Sequence, residues 1–136
     1  MIWLRWYAPG VTERQLVLSV EDNDANYALV QRLLESTGAW RVERARDVAE
    51  ALERLARTHY AVVLLDIDLP GPSGLDLART MKSSATWSSI PLVVVTASVM
   101  KHEQDEAQAI GCEYFVAKPF EIDRLRAIVA QAARGG

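Results

Sequence analysis

The sequence predicts an α/β domain: a doubly wound, five-stranded parallel sheet in the order 2-1-3-4-5, with five helices covering its faces. Three observations carry that expectation. Five short apolar runs alternate with five longer amphipathic segments, the pattern of repeated strand–helix–strand units joined by right-handed crossovers. Three of the runs are almost wholly apolar, as strands covered on both faces must be. Polar or charged residues stand directly after four of the runs, at the carboxyl ends of strands, where open parallel sheets place their sites.

Taken in order, the first run, Leu16–Val20, is of strand length and is followed by a segment of helical spacing over 24–36. There Leu29, Val30, Leu33 and Leu34 make one apolar stripe, and Gly38 stands where a helix end favours a left-handed residue. Trp40–Ala45 alternates apolar and charged residues, which places it at a sheet edge. Asp47, with Glu50 three residues on, reads as an N-cap with a capping-box glutamate opening a helix over 47–58. Ala61–Leu65 and Leu92–Val95 are the remaining apolar runs; a helix over 74–84 lies between them and another over 101–110 follows, closed by Gly111. Tyr114–Ala117 is the last strand and 121–133 the last helix. The domain is expected over 15–133, with an N-terminal extension at 1–14 and a tail at 134–136.

With 136 residues, half of them hydrophobic and 24% charged, the chain is one domain with a sizeable core and is not disordered. Fifteen Lys and Arg against eighteen Asp and Glu give a net charge of −3, and no basic patch marks a nucleic-acid surface. A single cysteine, Cys112, excludes an internal disulfide or a multi-cysteine metal site. No run approaches the ~18 apolar residues that span a bilayer. The first ten residues are too short for a secretory segment and are interrupted by Arg5, so a cytoplasmic protein is expected. Trp3 and Trp6 fit non-native sequence, a mis-set start, or a segment docked on the domain or a partner.

The polar residues at the strand ends carry the chemistry. Strand one runs into Glu21 and Asp22, strand three into Asp66, strand four into Thr96 and strand five into Lys118. One strand ending in a polar residue needs no explanation beyond solvent; four delivering three carboxylates, a hydroxyl and an ammonium to one crevice do. Two carboxylates ~4 Å apart repel by ~4 kcal/mol at an effective dielectric of ~20, so three must take up protons or hold a cation. Hard oxygen ligands without His or Cys favour Mg²⁺, which keeps coordination positions for a phosphate.

These residues resemble the receiver domain of two-component response regulators, with its CheY-like, flavodoxin-type strand order. The matching stretches are Leu-Ser-Val-Glu21-Asp22-Asn23, Leu-Leu-Asp66-Ile-Asp68-Leu-Pro70-Gly-Pro-Ser-Gly74, Val-Val-Thr96-Ala97 and Lys118-Pro119-Phe120, and the successive intervals Asp22 to Asp66, Asp66 to Thr96 and Thr96 to Lys118 are 44, 30 and 22 residues. The resemblance covers about residues 15–133. Glu21 replaces the commoner aspartate, and the run Glu21–Asn26 looks most like single-domain regulators of the DivK type and receivers of hybrid histidine kinases.

The resemblance implies that Asp66 takes a phosphoryl group from a phosphohistidine donor, a sensor histidine kinase or histidine phosphotransfer protein. Asp22, Asp66 and the backbone carbonyl of Asp68 would bind Mg²⁺, with Glu21 acting through a metal-bound water. Lys118 and Thr96 would contact the phosphoryl oxygens, and the bond before Pro119 would be cis. Thr96 and Phe115 would form the switch toward a downstream protein target; Tyr114, facing the other way, is the rival for Phe115. Helix one, with Tyr27 and Leu29–Leu34, is the expected docking surface for the phosphodonor, and helix four, strand five and helix five the output face. The domain could work alone or belong to a larger hybrid kinase.

Other residues receive plainer readings. Asp68 overhangs the nucleophile and is expected to perturb hydrolysis of the aspartyl phosphate; Ser98 leaves the site open. Asn26 either orients groups near the pocket or is solvated. Cys112 is a packing residue, His59 and His102 lie on the surface, Met100 makes a contact near helix four, and Trp40 and Trp87 cover core edges. Two rival functions follow from the same residues. Asp66-Ile-Asp68 after an apolar strand also looks like the first motif of haloacid-dehalogenase-type phosphatases, although the acidic pair here precedes it. A pseudo-receiver, binding partners without phosphorylation, would show a damaged pocket.

Overall fold

The computed structural model describes residues 14–97 and 101–135; Trp3, Trp6, Ser98 and Met100 lie outside them. The elements are β1 (Gln15–Val20), α1 (Asp24–Glu35), β2 (Trp40–Ala45), α2 (Val48–Arg57), β3 (Val62–Asp66), α3 (Gly74–Lys82), β4 (Leu92–Thr96), α4 (Lys101–Ile110), β5 (Tyr114–Ala117) and α5 (Ile122–Gly135). The strands pair in parallel in the order β2-β1-β3-β4-β5, as the alternation of patterns predicts.

The sheet separates two apolar layers because successive side chains of a strand point to opposite faces. Val17, Val62, Leu64, Val93 and Val95 face α1 and α5, where Val30, Leu33, Leu34, Leu125, Ile128 and Val129 meet them. Leu18, Val20, Val63, Leu65 and Val94 face the other side, against Ala51 and Leu55 of α2, Leu75, Ala78 and Met81 of α3 and Ala107 of α4. Each fully buried Leu or Val adds ~1.5–3 kcal/mol of transfer free energy, so β1, β3 and β4 are held from both sides. The helices are not anchored equally: α5 buries Leu125, Ile128, Val129 and Ala132, whereas α4 buries Ala107 alone. Arg126 ties α5 to the end of α1, donating from Nε to the Leu33 carbonyl at 2.9 Å and from Nη2 to Ser36 Oγ at 2.8 Å.

Several details depart from the sequence reading. Leu29, placed on the apolar stripe of α1, is 42% exposed; the helix is wide enough that the stripe's flank escapes the sheet. Asp47 does cap α2, accepting from Glu50 N at 2.8 Å, but the Glu50 carboxylate lies beside Arg54 one turn on. A complete capping box forms instead at Ser73, whose Oγ accepts from Leu75 N while Asp76 accepts from Ser73 N. β3 is shifted by one residue, leaving out Ala61 and including Asp66, which stands opposite Val95 of β4. The last helix continues to Gly135, past the expected boundary at 133. Gly38 and Gly111 both take positive φ, 80° and 115°, where helix ends require it. Trp40 is buried and Trp87 packs partly buried against the core. None of the described helices is long and apolar enough to cross a membrane.

Candidate functional site

Sheet register brings the polar strand ends together. Val20 stands opposite Leu65, so the residues that follow, Glu21 and Asp66, leave neighbouring strands at the same height. Thr96 stands opposite Ala117, which places Lys118 next to it, and Lys118 N donates to the Thr96 carbonyl at 2.9 Å. The Glu21 amide donates to the Ala45 carbonyl at 2.9 Å, fixing the start of the acidic loop against β2. Glu21, Asp66 and Thr96 are buried and Asp22 is exposed.

Carboxylate oxygens of Glu21, Asp22 and Asp66 lie within 4.8 Å of one another. Lys118 reaches into this group: its Nζ donates to Glu21 Oε1 at 2.7 Å and to Asp66 Oδ2 at 3.2 Å. Two backbone amides complete the shell, Asn23 N to Glu21 Oε2 at 3.2 Å and Asp68 N to Asp66 Oδ1 at 3.1 Å. Burial pushes the Asp66 carboxyl up to about 6; the Lys118 charge opposes that rise and the Glu21 charge adds to it. Burial also works against ionised Glu21, but its hydrogen bonds to Lys118 and to the Asn23 amide outweigh it and hold the group below its usual value. Lys118 is raised although burial favours the neutral amine, because Glu21 and Asp66 hold its proton.

Three carboxylates against one ammonium leave the crevice short of positive charge, and the donors are all hard oxygens, the set that suits Mg²⁺. The residues therefore fit a magnesium ion at Glu21, Asp22 and Asp66. Beside them the Lys118–Pro119 bond is cis, and a hollow of ≈ 290 Å³ is lined by Asn26, Leu29, Ala97, Lys118, Pro119 and Phe120. Asn26 caps nothing with its side chain here; its backbone amide donates to Asn23 Oδ1, the N-cap of α1. Phe115 is half-buried on the α2–α4 side of the sheet and Tyr114 packs on the α1–α5 side. Cys112 is buried and free; His59 and His102 are exposed.

Arg44 also borders the site, though no motif in the sequence marks it. It lies at the end of β2, donates from Nε to the Glu21 carbonyl at 3.0 Å and from Nη1 to Asp24 Oδ1 at 2.8 Å, and stacks over the Tyr27 ring at 5.0 Å. Nothing in an alternating edge strand distinguishes such a residue from a solvated charge.

An acidic crevice at the switch point of a 2-1-3-4-5 sheet, with lysine and threonine on the adjoining strand tips, defines a class of signalling domain. Residues 17–130 match the family model of the response regulator receiver domain, and the chain belongs to that family. A similar relative is the polar-differentiation response regulator DivK of Brucella ovis, 38% identical over 109 residues, or 79% of this chain and 87% of that protein. Among solved structures, a putative response regulator from Chloroflexus aurantiacus superposes with a TM-score of 0.85 at 24% identity, covering 90% of this chain and 99% of that one. The receiver domain of a sensor histidine kinase from Pseudomonas aeruginosa, solved with a magnesium ion coordinated in its active-site cleft, gives 0.82 at 26% identity, covering 90% and 99%. Family membership removes the dehalogenase-type reading of Asp66-Ile-Asp68.

Proposed function

We propose that Asp66 is the phosphoacceptor of a two-component phosphorelay, taking its phosphoryl group from the phosphohistidine of a sensor histidine kinase or a histidine phosphotransfer protein. The observation that supports this best is the placement of Asp66: a buried carboxylate, held beside two others, with Lys118 in reach of it and of Glu21. At neutral pH a carboxyl with a pKa about 6 is ionised, as a nucleophile must be.

In the transfer, an Asp66 Oδ attacks phosphorus in line with the departing imidazole; the P–O bond forms as the P–N bond breaks, and the imidazole nitrogen keeps the electron pair. Asp22, Asp66 and the Asp68 backbone carbonyl would hold Mg²⁺, with Glu21 acting through a water, and the ion would supply charge neutralisation on the phosphoryl oxygens. Lys118 pairs with one of those oxygens and the Thr96 hydroxyl donates to another. As Thr96 moves toward the group, Phe115 turns inward, and the face made by α4, β5 and α5 changes its affinity for a downstream protein. Couplings of ~1–3 kcal/mol are enough to alter such affinity several-fold to a hundredfold.

Exposed Leu29, beside the hollow that contains Lys118 and Phe120, offers the phosphodonor an apolar foothold next to the reacting carboxylate. The domain's chemistry is confined to its own phosphorylation and dephosphorylation. Labelling with a small phosphodonor tests the reading: a stoichiometric, Mg²⁺-dependent label is expected on the wild type and none on Asp66→Ala. An unlabelled wild type would leave the pseudo-receiver reading in its place.

A further inference from the structure

We infer that Arg44 is a positioning residue for the magnesium site, a clamp that holds the acidic loop from behind. This rests on the metal reading above and adds to it a residue outside the acidic cluster. Arg44 grips the loop on both sides of Asp22: Nε holds the Glu21 carbonyl at 3.0 Å, and Nη1 holds the carboxylate of Asp24 at 2.8 Å. The Glu21 carbonyl belongs to the peptide unit that carries the Asp22 amide, and the Glu21 amide is tied to the Ala45 carbonyl at 2.9 Å. Both planes flanking Glu21 are therefore fixed by β2, and the direction in which Asp22 leaves the strand is fixed with them.

The guanidinium is itself immobilised. It lies over the Tyr27 ring, and the Tyr27 hydroxyl donates to the Val42 carbonyl of the same strand at 3.1 Å. The Arg44 side chain is 14% exposed, unlike Arg46 at 57%, which shares the Asp24 carboxylate at 3.1 Å and leaves Glu21 to Arg44. Together the two arginines occupy the Asp24 carboxylate. The rigid guanidinium plane aims donors on two separate nitrogens at two separate acceptors, whereas an ammonium gathers its rotatable donors on one nitrogen.

The two arginines allow positioning to be separated from charge. Removing a nearby cation by itself favours binding of Mg²⁺; removing a clamp weakens it. Isothermal titration of the metal-free protein with MgCl₂ should therefore show Arg44→Gln and Arg44→Lys binding about tenfold more weakly than wild type, the lower end of what outer partners of metal ligands contribute. Arg46→Gln should bind as tightly as wild type or tighter. In the absence of metal, the Asp22 and Asn23 amides should exchange with deuterium faster in the Arg44 variants. Arg44→Lys keeps the charge and stands in for Arg44→Gln should that variant not fold. Unchanged or tighter Mg²⁺ binding by the Arg44 variants, or equal weakening by Arg46→Gln, would overturn the clamp alone. A wild type that binds no Mg²⁺ would overturn the metal reading and the clamp with it.

Discussion

The Lys118 ammonium lies closer to Glu21, at 2.7 Å, than to Asp66, at 3.2 Å. The extra methylene of a glutamate at this position lets its carboxylate reach across the crevice and anchor the lysine, so Asp66 can change its charge without leaving Lys118 buried and unpaired.

Burial, with the Glu21 charge adding to it, makes the resting carboxylate of Asp66 a cost to the fold. Its pKa rises from 3.8 to about 6 on folding, so the stability contributed by its protonated form is fully present below pH 3.8 and is lost as pH rises through 6. Two pH units correspond to on the order of 2–3 kcal/mol at neutral pH. Asp66→Asn, which keeps the shape and removes the charge, should stabilise the metal-free protein by about 1–2 kcal/mol at pH 7. Urea denaturation checks this; added Mg²⁺ should narrow the gap by stabilising the wild type, and a metal-free wild type as stable as the variant would refute it.

Gly74 meets the same residue from the backbone side. A methyl built on its Cα would stand 2.9 Å from the Asp66 carbonyl carbon and closer still to the oxygen, while the Gly74 amide is held by the Ile67 carbonyl at 2.9 Å. Neither backbone can yield without moving the loop that carries Asp68. Gly74→Ala should therefore cost about 2–3 kcal/mol in overpacking and weaken Mg²⁺ binding along with it, read by denaturation and by metal titration.

Tyr60 is a buried polar group far from this chemistry. It is 1% exposed, and its hydroxyl donates to Glu43 Oε1 at 2.6 Å. Burial first, and then the Glu43 carboxylate, push its pKa from 10.0 up to about 12. The stability it contributes is full below pH 10 and is lost as pH rises through 12. Tyr60→Phe should lower stability at pH 7 by about 1.5–3 kcal/mol, the range for hydrogen bonds to charged partners. The difference between the two proteins should shrink above pH 10, and a constant difference across that range would count against the assignment.

Asp68 donates its amide to Asp66 Oδ1 while its side chain stays exposed. A carboxylate in that position repels the approach of an attacking water polarised toward hydroxide. If the partly solvated charge raises that barrier by ~1 kcal/mol, Asp68→Asn should shorten the half-life of the phosphorylated protein about fivefold. Equal half-lives in a dephosphorylation time course would remove the idea.

The fold was legible because its signals are local. Ala61–Leu65 and Leu92–Val95 read as buried strands from their length and apolar content, and Asp66, Thr96 and Lys118 stand out because each follows a strand-length run. The convergence of Glu21, Asp22, Asp66 and Lys118 needed only the strand order in addition. What escaped depends on contacts between distant elements. Ser73 and Asp76 sit in a loop-like sequence, where a capping box is one of several readings. Arg44 looks like any charge on an edge strand until α1 brings Asp24 and Tyr27 against it. Leu29 follows the helical period yet stays in solvent, because the period states which residues share a stripe and not how far the sheet extends beneath it.

The uneven seating of the helices has a consequence for how a signal leaves the domain. Each helix resists displacement roughly in proportion to the apolar surface it would strip from the core, and α4 has a single buried alanine to lose while α5 has four buried residues. The α4 helix shares the α2–α4 apolar layer with Phe115, so a disturbance spreading outward from Asp66 would strip less apolar surface by loosening α4 than by displacing α5. A domain signalling in that way would act as a stiff block with one movable shutter, and a partner would need only to sense whether that shutter is ajar.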